Sequence, residues 1–205
     1  HPVSVRFATH LSEEQQKSYV REWEKQGVVA KKSEELPYVY TLEAVDGVSN
    51  LKGFEEGAFT VQDISSALCV EAAGVKATDI CMDICAAPGG KSTELAARLN
   101  GKGVLVSNDI SNSRAKALLK NLELFGAKNI LVVSEAPNKL AEYFEGNFDK
   151  ILVDAPCSGE GMFRKSPAIM KNWEQYGVEY YQKLQREILP SAVKMLRPGG
   201  MLLYS

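Results

Sequence analysis

The stretch Asp83 to Ser92 reads Asp-Ile-Cys-Ala-Ala-Pro-Gly-Gly-Lys-Ser and stands where a strand must hand over to a helix. Upstream, Ile80, Cys81, Met82 and Ile84 make the short apolar run of a buried parallel strand. Downstream, Leu95, Ala96, Ala97 and Leu99 suit the inner side of a helix. Two adjacent glycines between them let backbone approach a ligand, and the unpaired N–H groups of the helix's first turn favour a polar or anionic group.

Two nucleotide-type readings compete for this turn. A phosphate-binding loop needs G-x-x-x-x-G-K-[ST]; Gly90-Lys91-Ser92 supplies its end, but Cys85 stands where its first glycine belongs. Ile151-Leu152-Val153-Asp154 would then be the metal-holding strand of an ATPase. In the other reading the turn holds the amino-acid end of S-adenosylmethionine in a Rossmann-like methyltransferase, and an acid ending the second strand takes the ribose hydroxyls. Asp109 closes the run Val104-Leu105-Val106-Ser107-Asn108 about twenty residues beyond the glycines, where such an acid belongs. The missing glycine favours this second reading.

From residue 78 onward, strand and helix periodicities alternate, which implies a mostly parallel sheet with crossover helices, an α/β fold. Strands end at Asp83, at Asp109, at Val133 just before Glu135, and at Asp154, and a fifth covers 200–204. In open parallel sheets ligands lie off these carboxyl ends. Ahead of this core, residues 1–53 read as a small α+β lead-in, with the core at 54–205. Ser12 and Gln15 make a capping-box helix start carrying Tyr19, Val20 and Trp23. The segments 38–42 and 58–61 read as strands that pair antiparallel. Asp63 caps a helix burying Leu68, Cys69 and Ala72, and the helix from Arg114 turns Ala115, Leu118, Leu119 and Leu122 inward.

A chain of 205 residues with net charge −2 can bury a real core but carries no overall footprint for a polyanion, so any nucleic-acid site must be a local patch. No apolar run reaches membrane-span length and no signal peptide is visible, so the expected place is the cytoplasm. The four cysteines show no metal-type spacing, and free thiols are expected rather than disulfides or a metal site. The start at His1 and the stop within an apolar strand lead to the expectation of a fragment.

A second stretch, Asp154-Ala155-Pro156-Cys157-Ser158-Gly159, sets a carboxylate and a thiol on the loop leaving the fourth strand. With Cys85-Ala86-Ala87-Pro88-Gly89-Gly90-Lys91 it resembles the RNA (cytosine-5) methyltransferases, specifically the Sun/Fmu-like bacterial rRNA enzymes, over roughly residues 54–205. Phe54–Gly57 and Val61–Asp63 look most like one branch of that family and Gly161–Lys165 like another, so a fusion of branches is the companion expectation to a fragment.

The resemblance implies S-adenosylmethionine as cofactor and cytosine C5 of RNA, rRNA in particular, as target. A cysteine thiolate adds to C6 to activate C5, and a second cysteine assists release after methyl transfer. By resemblance Cys157 is the releasing cysteine, and the attacking one belongs to a Thr-Cys pair beyond Ser205. Asp154, a carboxyl tuned by burial, would hold the N3/N4 edge of the base, with Lys91 reaching it from the turn. Cofactor contacts would come from Cys85 through Lys91, from Asp109, Arg114 and Glu135, and from Asp154 and Pro156. Arg164, Lys165 and Lys171 are candidate phosphate contacts, against a plain solvated loop; Trp173, Tyr180 and Tyr181 could stack on bases but suit packing. A non-catalytic cofactor-binding or RNA-docking fragment, and the less favoured NTPase, remain the alternatives.

Overall fold

The computed structural model describes residues 2–36, 38–160, 163 and 167–205. The first part is built on a four-stranded antiparallel sheet of β1 (Val3–Phe7), β2 (Val29–Lys32), β3 (Val39–Glu43) and β4 (Phe59–Val61), in the order β2-β3-β1-β4. α1 (Glu13–Lys25) starts on the expected Ser12/Gln15 capping box and packs Trp23 against the sheet. Trp23 stacks on Phe7 with ring centroids 5.3 Å apart and meets Phe59 edge-on at 4.8 Å. The expected pairing of residues 38–42 with 58–61 does not occur: β1 lies between β3 and β4 and pairs with both. β4, beyond residue 53, completes this lead-in sheet.

α2 (Ile64–Ala72), capped by Asp63, leads into the core. It buries Ala67 and Val70 instead of the face first expected, and Leu68 is 42% exposed. The core strands are β5 (Ile80–Asp83), β6 (Val104–Asn108), β7 (Ile130–Val133), β8 (Phe148–Val153) and β9 (Leu196–Tyr204). They form a fully parallel sheet in the order β7-β6-β5-β8-β9. The intervening helices are α3 (Gly90–Leu99), α4 (Asn112–Leu124), α5 (Pro137–Tyr143) and α6 (Pro167–Met195), the last interrupted at Gly177.

Strand side chains alternate between faces, and the two cores divide accordingly. Cys81, Leu105 and Leu152 pack with α2 and α3 through Val70, Leu95 and Leu99. Their neighbours Met82, Val106, Ile151 and Val153 pack with α5 and α6 through Leu140, Ile188 and Met195. On α4, Ala115, Leu118 and Leu122 are buried as expected, but Leu119 is 39% exposed because it sits at the edge of the apolar stripe. Among the described residues no helix is long and apolar enough to cross a membrane.

The lead-in is joined to the core by a buried polar cluster. Arg6 of β1, completely buried, donates to Gln62 and to Thr93 of α3. Glu94 of α3 accepts from Gln62, Tyr38 and Arg98.

Candidate active site

The strand order reverses around β5, the topological switch at which ligands of open α/β sheets sit. A cavity of about 870 Å³ opens there. Cys85, Ala87, Asp109 and Arg114 form one wall, and Asp154, Pro156 and Cys157 another. Ile110, Pro137 and Ile188 add apolar surface. Sequence positions spread over three loops therefore meet in one space.

The glycine turn owes its shape to one of its two glycines. Gly89 has φ +113°, and a Cβ there would lie 3.0 Å from Leu118 Cδ1. Gly90 has an ordinary φ and open space around its missing Cβ, so backbone strain does not require glycine there and only an occupant of that space could. Gly89 as N-cap offers no side-chain acceptor, so α3 presents an uncapped N-terminus. Helix α4 braces the turn: Arg114 Nη2 donates to the Ala87 carbonyl at 2.8 Å, and Asn121 Nδ2 to that of Pro88 at 2.7 Å. Ala86 is buried beneath the turn and donates its N–H to the Asn108 carbonyl.

Ser92 decides against the phosphate-loop reading. Its hydroxyl, fully buried, donates to Asp83 Oδ2 at 2.7 Å and lies 2.8 Å from Ser107 Oγ. A P-loop hydroxyl must reach a nucleotide-bound magnesium ion. This one is committed to the core.

Asp109 sits just past β6, only 2% exposed. Oδ1 accepts the Ser111 N–H at 3.0 Å, and Oδ2 lies 3.3 Å from Arg114 Nη2. Glu135 does not line the cavity; its Oε1 accepts the Ala136 N–H at 2.8 Å and lies 3.7 Å from Lys139 Nζ. Asn108, which sequence reasoning passed over, ties three strand ends together. Its Nδ2 donates to the carbonyls of Ile84 and Glu135, and its Oδ1 accepts the Glu135 N–H. Only its place beside the strand-ending acid could have singled it out.

On the opposite wall, Asp154 Oδ2 forms an ion pair at 2.6 Å with Nζ of Lys91, which itself does not line the cavity. The Asp154 side chain is 43% exposed, so the burial expected to tune it is not there; the neighbouring ammonium is its principal electrostatic partner. Pro156 is held from α6 by Gln185, whose Nε2 donates to its carbonyl at 2.9 Å. Cys157 follows, exposed. Ser158 then donates to Glu160, which also accepts from the Trp173 indole. Trp173 meets Phe163 edge-on and Tyr180 meets Tyr181 the same way, so these rings have packing partners. Arg164 and Lys165 lie outside the described residues, and Lys171 is exposed.

The four cysteines are free thiols. Burial pushes the Cys85 thiol up to about 12, helped by the carboxylates of Asp83, Asp109 and Asp154. Cys85 thus shares the cavity with Cys157 as a protonated thiol. Asp83, read as one of the strand-end acids, points into the protein: it is fully buried, and among the described residues its Oδ1 has no partner at normal hydrogen-bond geometry. Burial first, then the Asp154 charge, pushes its carboxyl up to about 7, against the opposing bond from Ser92. Among the described residues no group of His, Cys, Asp and Glu could hold a metal ion.

The family described as "16S rRNA methyltransferase RsmB/F" matches residues 72–205. Ribosomal RNA small subunit methyltransferase F of Serratia proteamaculans is 42% identical over 151 residues, 73% of this chain and 32% of that protein. The chain therefore spans about a third of the length of the curated relatives it matches. Among solved structures, PH0851 superposes with a TM-score of 0.88 at 30% identity, over 99% of this chain and 46% of its own. NSun6 from Pyrococcus horikoshii, solved with SFG, superposes at 0.83 over 99% of this chain and 74% of its own; at 22% identity that likeness shows the fold alone.

Proposed function

This chain belongs to the 16S rRNA methyltransferase RsmB/F family, and from that premise we propose that it binds S-adenosylmethionine and forms the cofactor-binding and base-holding part of an RNA cytosine-5 methyltransferase acting on rRNA in the cytoplasm. The observation that carries the reading is the Lys91–Asp154 pair, which joins the glycine turn to the loop of Pro156 and Cys157 beside the cavity that Asp154 lines.

The residues present fit the cofactor. Asp109 is a buried carboxylate at the cavity wall, suited to ribose hydroxyls, and the uncapped start of α3 suits a carboxylate. Ile110, Pro137 and Ile188 offer an apolar seat for a purine. When bound, S-adenosylmethionine supplies an electrophilic methyl group. Asp154, steadied by Lys91, accepts from the amino edge of cytosine and orients the ring. Cys157 serves release: its thiolate takes the C5 proton and the C5–H electrons re-form the C5–C6 double bond. The C6–S bond to the attacking cysteine breaks, returning that sulfur as thiolate. By the resemblance, that attacking cysteine belongs to a Thr-Cys pair following Ser205.

Calorimetry tests the cofactor half. S-adenosylmethionine should bind the chain, and Asp109→Ala, losing charge-assisted bonds of about 1.5–3 kcal/mol each, should weaken it about tenfold to a hundredfold. Undiminished affinity in a folded variant removes Asp109 from the site. Magnesium-dependent ATP binding in place of S-adenosylmethionine would overturn the reading altogether.

A further inference from the structure

A second cavity, of about 480 Å³, lies between the end of β1, the second half of α3 and the turn that follows α4. We propose that it is a binding site for a phosphate oxyanion, with Arg6 and Arg98 in its wall and Lys128 and His10 at its exposed rim. Among the described residues, none that lines it is Asp or Glu.

Two buried donors point to an acceptor. Arg6 is fully buried: Nε and Nη2 are bonded to Gln62 and Thr93, but Nη1 has no partner among the described residues. Arg98 commits Nη2 to Tyr38, Glu71 and Glu94, and its buried Nε has no partner among the described residues. Buried guanidinium N–H groups are costly to leave unpaired, and a bound oxyanion is the acceptor best matched to them. The charge count runs the same way. Both cations share one buried carboxylate, Glu94, while Glu71 is half exposed and outside the lining. Burial pushes the Glu94 carboxyl up, against the pull of Arg6 and Arg98.

The carbonyls at the C-terminal end of α3, which also lines the cavity, have hydrogen-bond donors of their own. The carbonyls of Ala96 and Ala97 accept from Asn100, that of Leu99 from Lys102, and that of Gly101 from Asn129. Phe125 adds a ring face 5.7 Å from the Arg6 guanidinium. The site also abuts the turn that bears Lys91, since Arg6 Nη2 reaches the Gly90 carbonyl at 3.4 Å. A chain of net charge −2 that engages RNA needs such a local cationic patch.

A phosphodiester of bound RNA and free phosphate share this chemistry; the first source rests on the RNA reading above. The test follows backbone amide resonances of Gly101, Gly126 and Lys128 while inorganic phosphate, or a short single-stranded oligoribonucleotide, is titrated at constant ionic strength against chloride. Saturable shifts are expected, weakened about tenfold or more by Lys128→Glu, which removes one charge-assisted contact and sets a repelling carboxylate in its place. A response to the oligonucleotide that phosphate displaces assigns RNA backbone; a response to phosphate alone assigns a free oxyanion. Shifts no larger than with chloride, or unchanged by Lys128→Glu, overturn the site. S-adenosylmethionine affinity, measured on the same samples, is expected to be unaffected by Lys128→Glu. Its absence would sink the cofactor reading and leave the phosphate result standing.

Discussion

Lys91 Nζ lies 2.6 Å from Asp154 Oδ2, joining the first turn of α3 to the loop after β8. Their strands explain the meeting. β5 and β8 are hydrogen-bonded neighbours with Asp83 opposite Leu152, so the chain leaves both strands at the same edge of the sheet.

The pair is partly exposed, with Lys91 at 12% and Asp154 at 43%, and pairs of this kind contribute about 1 kcal/mol or less to stability. Lys91→Met should therefore fold normally, with a urea midpoint close to the parent's. Its cost falls on substrate handling. In a polypeptide carrying the family's following segment, RNA methylation should drop about tenfold to a hundredfold while S-adenosylmethionine affinity changes little. Lys91→Arg, keeping the cation, should recover part of the loss. Full activity in Lys91→Met would show that Asp154 needs no partner.

Asp83 makes stability depend on pH. Its folded carboxyl is pushed up to about 7 by burial, against 3.8 for the ordinary group. The folded state thus holds this proton more tightly, so the contribution is fully present below pH 3.8 and is lost as pH rises through 7. Asp83→Asn keeps an acceptor for Ser92 but cannot ionise. Urea unfolding at a series of pH values from 4 to 8 should show the parent losing stability relative to Asp83→Asn across that window. Parallel curves would mean that Asp83 is charged throughout.

The cysteines of the cavity should separate chemically. Cys157 is exposed, whereas burial pushes both Cys81 and Cys85 up to about 12, leaving on the order of one part in ten thousand as thiolate at pH 8. Iodoacetamide at pH 8 followed by peptide mass spectrometry should find Cys157 modified while Cys81 and Cys85 are not. In a polypeptide extended through the Thr-Cys pair, Cys157→Ala should accumulate a covalent protein–RNA adduct on a denaturing gel, because elimination fails after addition. Absence of any adduct in that variant would make Cys157 the attacking residue.

Local features were legible where a short segment contains its own reason. Ser12 and Gln15 form their capping box, Asp63 caps α2, and the strand-turn-helix of 80–99 appears as its periodicity dictates. Errors arose where a face had to be chosen. Nothing within α2 says that Ala67 and Val70 go inward and Leu68 outward, because that depends on where α3 lies. β1 is not legible in the sequence because Arg6, its fourth residue, reads as a solvent residue, yet it is buried against Gln62 and Thr93.

By itself the sequence determined the parallel α/β order, the glycine turn, the acids at the strand ends and the Pro156-Cys157 loop, since each rests on contacts within a few residues. Tertiary structure alone decided which of these face one another. Strand order placed Asp154 beside Lys91, turned Asp83 inward and left Asp109 and Cys157 in one cavity. It also made Asn108 the tie between three strand ends and set Arg6 against α3. The physical reason is range: hydrophobic period and turn chemistry act along the chain, whereas ion pairs, burial and the pKa values that follow from them are set by neighbours the chain reaches only after the sheet has assembled.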